Sequence, residues 1–343
     1  AADARAAFAA NDYAKARILA ASALEAMPGN KELLLLQARS LLALGDGAGA
    51  GATLQKLATS GGVPDQAELT AEAALLRNAP QVARDALAAS TSSEADRLRG
   101  LAAIQDGDTA AAAGFFAKAV AVGDNARAFA DLARLRLMER DVATASQLAD
   151  QAAALAPQGI DTLLIKGQIA LTKGDLKVAL DTYSNAAKRY PTSLAALTGE
   201  AAALGDLGRY KEMMAVADTA AEVAPRNLQV AYLRARAGVA MKNWDLVRAT
   251  VQPLEAELPA IHPLRALYAE ALLRLDRSEL AAAQLTPIVR AQPGNRQVAL
   301  LLAEARLTGK DAKGAMAALQ AIADSPQARP EELAMMARAA KAA

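Results

Sequence analysis

The sequence predicts an all-α protein built from stacked helix pairs. Alanine accounts for 93 of the 343 residues and aromatic residues for only 3%. Small side chains suit close contact between helices, whereas a sheet core needs β-branched and aromatic residues. A second observation is a repeat, because five prolines follow one another at intervals of 34 residues: Pro157, Pro191, Pro225, Pro259 and Pro293. A fixed period of this length is typical of proteins in which short helical units stack side by side.

Small residues recur in the same frame, and they predict two helices in each unit. Ten residues after each marker stand Ala38, Ala133, Gly167, Ala201, Ala235, Ala269 and Ala303. Twenty-two residues after the markers stand Ala50, Ala145, Ala179, Ala281 and Ala315, with Met213 and Val247 as larger exceptions. Two small positions on different helices allow those helices to approach closely. The turn between them contains Gly45, Gly174 and Gly208, with Gly309 shifted by one residue, and we expect glycine there to end the first helix in the left-handed conformation.

The frame divides the chain into ten units of about 34 residues and a last helix, Glu331 to Lys341. The third unit, 65–91, is seven residues short and predicts an irregular step, with helices at Gln66–Arg77 and from Pro80 to Ala89. We therefore predict three parts: an N-terminal block 1–91, regular units 92–329, and a capping helix in 330–343.

This pattern resembles the tetratricopeptide repeat (TPR) family, and the resemblance covers nearly the whole chain. The unit that matches the family's pattern best is Ile160 to Ser193. Its matching residues are Gly167, Gly174-Asp175-Leu176, Ala179, Tyr183, Ala186 and Pro191. The resemblance implies a right-handed superhelical α-solenoid whose first helices line a concave wall. It also implies a non-catalytic scaffold that binds partner proteins or peptides in this groove or at the solenoid ends. One departure is the charged residue that precedes the small position at Lys166, Glu200 and Arg234.

The family's inner positions give candidate groove contacts. These are Arg39, Arg127, Arg134, Gln168, Tyr232, Arg236, Glu270 and Glu304. Their charges are basic early and acidic late in the chain, and Arg and Tyr are frequent binding anchors. An alternative hypothesis from another class is an anionic polysaccharide held by Arg134, Tyr232 and Arg236, although the few aromatic residues disfavour sugar stacking.

No pattern predicts chemistry, a cofactor or a metal site, and we expect no enzyme. The chain has no cysteine, and its one histidine, His262, is predicted to be a surface or capping residue. The glycine-rich run Gly45–Gly51 resembles a phosphate loop, but it follows a helix, so a turn and a frayed second helix are expected. A net charge of +1 disfavours nucleic acid as a partner, and no apolar run reaches the ~18 residues of a membrane span.

A narrower resemblance concerns location. The alanine-rich units without cysteine look like bacterial cell-envelope TPR proteins, some of them lipoproteins of exopolysaccharide export systems. This implies a periplasmic protein attached to the outer membrane, with a lipidated cysteine just before Ala1 and protein partners in a secretion complex. A cytoplasmic TPR adaptor or regulator is the alternative.

Overall fold

The computed structural model describes residues 1–343 and contains helices and turns without a strand. The helices of the first half are α1 Ala2–Ala9, α2 Tyr13–Ala26, α3 Lys31–Ala43, α4 Gly47–Thr59, α5 Gln66–Leu76, α6 Pro80–Ala86, α7 Ser93–Gln105, α8 Thr109–Ala121, α9 Ala126–Met138, α10 Val142–Leu155, α11 Ile160–Lys173 and α12 Leu176–Arg189. They are followed by α13 Leu194–Asp206, α14 Tyr210–Val223, α15 Leu228–Ala240, α16 Trp244–Val251, a 3-10 helix Gln252–Glu257, α17 Pro263–Arg274, α18 Ser278–Ala291, α19 Arg296–Thr308, α20 Ala312–Ala323 and α21 Pro330–Ala342. The predicted all-α class is confirmed, since twenty-one α-helices correspond to ten pairs and a last helix.

The chain divides into two compact units, Ala1–Ala203 and Leu204–Ala343. A cluster of buried apolar side chains in the first unit runs from Ala71 on α5 to Ala102 on α7 and so crosses the predicted boundary at residue 91. Whether 1–91 behaves as a separate block stays a prediction.

Helix pairing depends on the small residues that repeat in the sequence. All of the alanines at the two repeat positions are fully buried: Ala38, Ala133, Ala201, Ala235, Ala269 and Ala303 at the first, and Ala50, Ala145, Ala179, Ala281 and Ala315 at the second. At Gly167 even a methyl group would clash, because an added Cβ would lie 2.7 Å from the Tyr183 ring. The small residues at these positions therefore allow the two helices of a pair to pack closely, and larger side chains there would push them apart.

The turns between the two helices of a pair share one backbone conformation, although the residue at the left-handed position differs from pair to pair. Gly45, Gly174 and Gly208 have the expected positive φ. At the same repeat position Arg140, Lys242, Asp276 and Lys310 also have positive φ, so Gly309 does not have the left-handed conformation expected for it. Side chains then cap the following helices: the Asp46, Asp108, Asp141 and Asp311 carboxylates and the Asn243 amide oxygen each accept a hydrogen bond from the backbone N–H three residues on.

The glycine-rich run Gly45–Gly51 is more regular than expected. Helix α4 begins at Gly47 without fraying, and Asp46 caps it. An added Cβ at Gly47 would lie 2.6 Å from the Ala73 carbonyl oxygen, so glycine here permits close contact with α5. The expectation of a frayed helix was therefore wrong, because backbone packing against the next unit orders this segment.

Two second helices, α6 and α16, are shorter than the second helices of the other pairs. The short third unit has the predicted helices, but its second helix, α6, ends at Ala86 rather than Ala89. Helix α16 ends at Val251, and a 3-10 segment begins at Gln252, because Pro253 has no N–H to continue the α-helical bonds.

The start of the first unit also contacts its far end. The Asn11 side-chain amide, in the turn after α1, donates to the Arg189 carbonyl oxygen at 3.1 Å, and Arg189 is the last residue of α12. Nearby, the Tyr190 hydroxyl donates to the Gln158 carbonyl oxygen at 2.9 Å. The first helix pair is thus joined to the sixth within the first unit.

Candidate functional site

The candidate site is the surface formed by the first helices of the pairs. In the first unit α3 contacts α5, α5 contacts α7, α7 contacts α9 and α9 contacts α11. In the second unit α15 contacts α17, α17 contacts α19 and α19 contacts α21. Their outward side chains make one continuous strip in each unit, which we call the first-helix face. None of the helices combines the length and the apolar character that a bilayer crossing needs.

A charge network covers the middle of the first unit's face. Arg97 on α7 is only 3% exposed, and its guanidinium donates to Asp131 on α9 at 2.7 Å and to Glu94 at 2.7 and 2.8 Å. Arg127 on α9 donates to Glu72 at 2.7 Å and to Glu94 at 3.1 Å. The network therefore ties three successive first helices together.

Arg134 and Asp161 extend the same network. Arg134 donates to the second Asp131 oxygen at 2.5 Å, and the Arg127 Nε lies 3.4 Å from Asp161 on α11. Three arginines thus face four carboxylates, and the positive charge predicted for this part of the groove is neutralised within the chain.

The network shifts the ionisation of its buried members. Burial by itself would raise the pKa of the Glu94 carboxyl, but hydrogen bonds from Arg97 and the charges of Arg97 and Arg127 outweigh burial and lower that pKa. Burial would likewise lower the pKa of the Arg97 guanidinium, but Glu94 and Asp131 raise it well above its ordinary value. Both shifts favour the charged forms of Glu94 and Arg97, so their contact is a fixed ionic joint.

The remaining predicted contacts of the first unit are exposed. Arg39 on α3 donates to Asp65 at 2.7 Å, with both side chains more than 40% exposed. Gln168 on α11 is exposed, and its side chain makes no hydrogen bond. The structure brings Arg127 and Arg134 into one network and leaves Arg39 and Gln168 outside it.

The second unit's face combines half-buried apolar side chains with one unpaired charge. Tyr232 and Val239 on α15 are half-buried against the core of this unit, and Leu300 and Leu307 on α19 pack against the adjoining core. Glu270 on α17 is half-buried and takes part in no salt bridge.

The other two predicted contacts of the second unit are paired. Arg236 on α15 donates to Asp206 at 2.7 Å. Glu304 on α19 accepts from Arg274 at 3.0 Å. Glu270 is therefore the unneutralised charge among the predicted contacts of this face.

Sequence reasoning missed Arg97 and Asp131, although a signal for them exists. The two residues are 34 positions apart, so they occupy the same repeat position in successive units, and they carry opposite charges. Arg127 and Asp161 have the same spacing. Opposite charges one repeat apart predict an ion pair between neighbouring first helices.

No group of three or more acidic or histidine side chains is placed to hold a metal ion. His262 is the capping residue that the sequence predicts, since its Nδ1 accepts from the Leu264 N–H at the start of α17 at 3.2 Å. Glu94, in the middle of the charge network, is held by Arg97 and Arg127, which outweigh burial and lower its pKa.

Comparison with known proteins agrees with this architecture. The tetratricopeptide repeat family profile matches residues 130–193 and 268–330. The chain contains tetratricopeptide repeats. These stretches coincide with the fifth and sixth and with the ninth and tenth predicted units, so the TPR resemblance is confirmed. No curated protein sequence matches the chain.

Solved TPR structures share the fold at low identity. A chain of the Cut9–Hcn1 hetero-tetramer of the APC/C aligns over 95% of this chain with 14% identity and a TM-score of 0.61, and this chain spans 59% of its length. PilW, a type IV pilus biogenesis factor, aligns over 62% of this chain and 98% of its own, with 17% identity and a TM-score of 0.54. PilF of Pseudomonas aeruginosa aligns over 63% and 99%, with 16% identity and a TM-score of 0.55. At these identities the likeness shows the fold alone.

Proposed function

We propose that the protein is a non-catalytic scaffold that binds partner proteins through the first-helix face of its second unit. The observation that carries this proposal is the contrast between the two faces. The clustered charges of the first unit's face are paired within the chain, whereas the second unit's face presents the unpaired Glu270 together with half-buried apolar side chains. Partly desolvated apolar and aromatic side chains are the usual anchors of protein interfaces.

The chemistry of this face favours a peptide segment with a basic residue between apolar ones. Tyr232 and Leu300 lie on the helices that flank α17 and supply apolar contact. Glu270 supplies a negative charge for Lys or Arg. Glu270 forms no salt bridge within the chain, so a cation of the partner can pair with it without first displacing a Lys or Arg of this chain.

Affinity purification with identification of bound proteins tests the proposal. We expect the partner captured by the wild-type chain to be lost with Glu270→Lys and Tyr232→Ala. A matched control is Glu222→Lys, which makes the same charge change at an exposed position on the second helix α14. The same set of bound proteins on all variants would contradict the assignment of this face.

The polysaccharide alternative has less support. Its two arginines are already paired, Arg134 with the buried Asp131 and Arg236 with the exposed Asp206, so an anionic glycan would have to displace both carboxylates. Salt-sensitive glycan binding that is lost on Arg134→Ala with Arg236→Ala would restore this alternative.

For location we propose the periplasm, with attachment to the outer membrane and a role in an envelope assembly or a polysaccharide or protein secretion complex. Support comes from the alanine-rich, cysteine-free TPR sequence. Fractionation of the native protein, together with a search upstream of Ala1 for a signal peptide ending in a lipid-modified cysteine, tests it. Recovery from the cytoplasm would favour the adaptor alternative.

A further inference from the structure

The second unit has a pocket away from its first-helix face, between α16, α17 and α18. Its volume is about 360 Å³, near the lower end of the ~300–1,000 Å³ that small-ligand sites occupy. Tyr268 and Leu272 on α17 form a buried floor, and Leu275 and Leu280 line the side. Leu280 is 55% exposed, so apolar surface lies open to solvent beside a preformed concavity.

The irregular end of α16 distinguishes this pocket. An equivalent pocket lies in the first unit between α10, α11 and α12, with Val178 in the place of Leu280, but its volume is only 180 Å³. In that unit the preceding second helix, α10, continues to Leu155, whereas α16 ends six repeat positions earlier, where Pro253 changes the helix type. The larger pocket thus coincides with the one second helix that ends in a 3-10 segment.

The charges of the two pockets also differ. In the second unit Arg277 takes part in no salt bridge, and Arg248 has only a 3.4 Å pair with Asp245, whose side chain is 75% exposed. Two arginines and one aspartate leave a net charge of +1. The first unit's pocket has two lysines and two aspartates, with Lys166 3.6 Å from Asp150, and is neutral.

We propose that the pocket in the second unit binds a partner-protein segment that carries a bulky apolar side chain next to a carboxylate. The apolar side chain fills the space over Leu272 against Leu280, and the carboxylate pairs with Arg277 and Arg248. Guanidinium groups without a fixed partner are suited to carboxylates, because their planar donors match the two oxygens. This surface is separate from the first-helix face, so a single chain would hold two segments at once.

Selection from a phage library of random heptapeptides, with the full chain immobilised, tests the proposal. We expect wild type to enrich peptides with Leu, Phe, Met or Trp beside Asp or Glu. Enrichment is lost with Leu280→Glu and retained with Val178→Glu, the same change at the equivalent, 57% exposed position. Both positions are exposed, and circular dichroism checks that each variant folds.

Fluorescence anisotropy of one enriched, labelled peptide then gives the magnitudes. Leu280→Glu weakens binding at least about tenfold, as the loss of an anchor contact does. Arg277→Gln weakens peptide binding about threefold, which is the usual effect of losing an exposed ion pair. This effect becomes smaller at high salt, because salt screens the ion pair.

Three results would overturn the proposal. The first is no enrichment on the wild-type chain, or enrichment without acidic residues. The second is enrichment that survives Leu280→Glu but disappears with Glu270→Lys, which would place the peptide on the first-helix face and support only the function proposed above. The third is a concentration-dependent doubling of mass in light scattering that Leu280→Glu abolishes, which would make a second copy of the chain the occupant.

Discussion

Replacing Arg97 by methionine should loosen the first unit at the ionic joint between α7 and α9. The substitution leaves the 6%-exposed Asp131 and the half-buried Glu94 without their shared cation. At 2.7 Å, and with an effective dielectric constant of about 20, one such contact has a Coulomb energy of ~6 kcal/mol, most of which is offset by desolvation. Removing one partner of a buried pair costs ~3–5 kcal/mol, and we expect the lower end of this range because Arg134 still pairs with Asp131 and Arg127 with Glu94.

Hydrogen exchange measures this loss locally, which suits a repeat protein whose units open separately. A change of ~3 kcal/mol lowers the protection of α7 and α9 amides by more than about a hundredfold. Arg84→Met is the control, since Arg84 pairs with Asp106 at the surface and its loss should cost less than ~1 kcal/mol. Equal effects of the two substitutions, or a change below about tenfold in α9, would refute the reasoning.

The same variant should respond differently to pH. The pKa of Glu94 is lowered in the folded wild type, so its carboxylate contributes stability above its ordinary pKa of about 4.3 and loses this contribution as the pH falls through the lowered value. The stability difference between wild type and Arg97→Met therefore shrinks below about pH 4. A difference that stays constant down to pH 2 would show that packing, and not charge, holds this joint.

Three further predictions concern other parts of the fold. Gly167→Ala places a Cβ 2.7 Å from the Tyr183 ring and should cost ~1–3 kcal/mol in denaturant unfolding, whereas Gly114→Ala, with nothing within 4 Å, should stabilise its helix by ~0.5–1 kcal/mol. Burial raises the pKa of the Tyr183 hydroxyl to about 12, so stability should fall as the pH rises from 10 to 12. Tyr183→Phe should reduce this loss in melting curves, with a remainder because burial also raises the pKa of Tyr13 and Tyr268. Glu332→Ala removes a buried carboxylate that binds Arg296, so limited proteolysis should cut α21 first in this variant and not in wild type.

Much of the fold follows from the sequence because one frame fixes both the turns and the buried positions. A spacing of 34 residues located the small residues at Ala133 and Ala145, and both are fully buried. The frame does not show which turns tolerate side chains: Lys242 and Asp276 take the left-handed conformation because the tight connection requires it whatever residue is present. Pro253 is visible in the sequence, but the wider pocket beside it depends on how far α16 reaches in three dimensions.

The candidate site was less predictable because position on a helix does not reveal pairing. Arg127 and Arg134 were identified as groove residues from their repeat positions, and whether they bind a partner stays a prediction. Arg134 is neutralised by Asp131 on its own helix, whereas Arg127 is neutralised by Glu72, Glu94 and Asp161 on other first helices. Glu270 has the same kind of repeat position but no cation within reach. The difference between the two faces is therefore set by neighbouring helices, which only the structure brings together.

The hydrogen bond from Asn11 to Arg189 has a mechanical consequence. It joins two residues that are 178 positions apart along the chain. In a stack of helix pairs each pair otherwise contacts only its neighbours, and only those contacts resist extension of the stack. The hydrogen bond between the first and the sixth pairs adds a long-range contact that also resists this extension. Fluorophores attached at positions 15 and 188 would then report a narrow distribution of the distance between the two positions. We expect this distribution to broaden when Asn11→Ala removes the hydrogen bond.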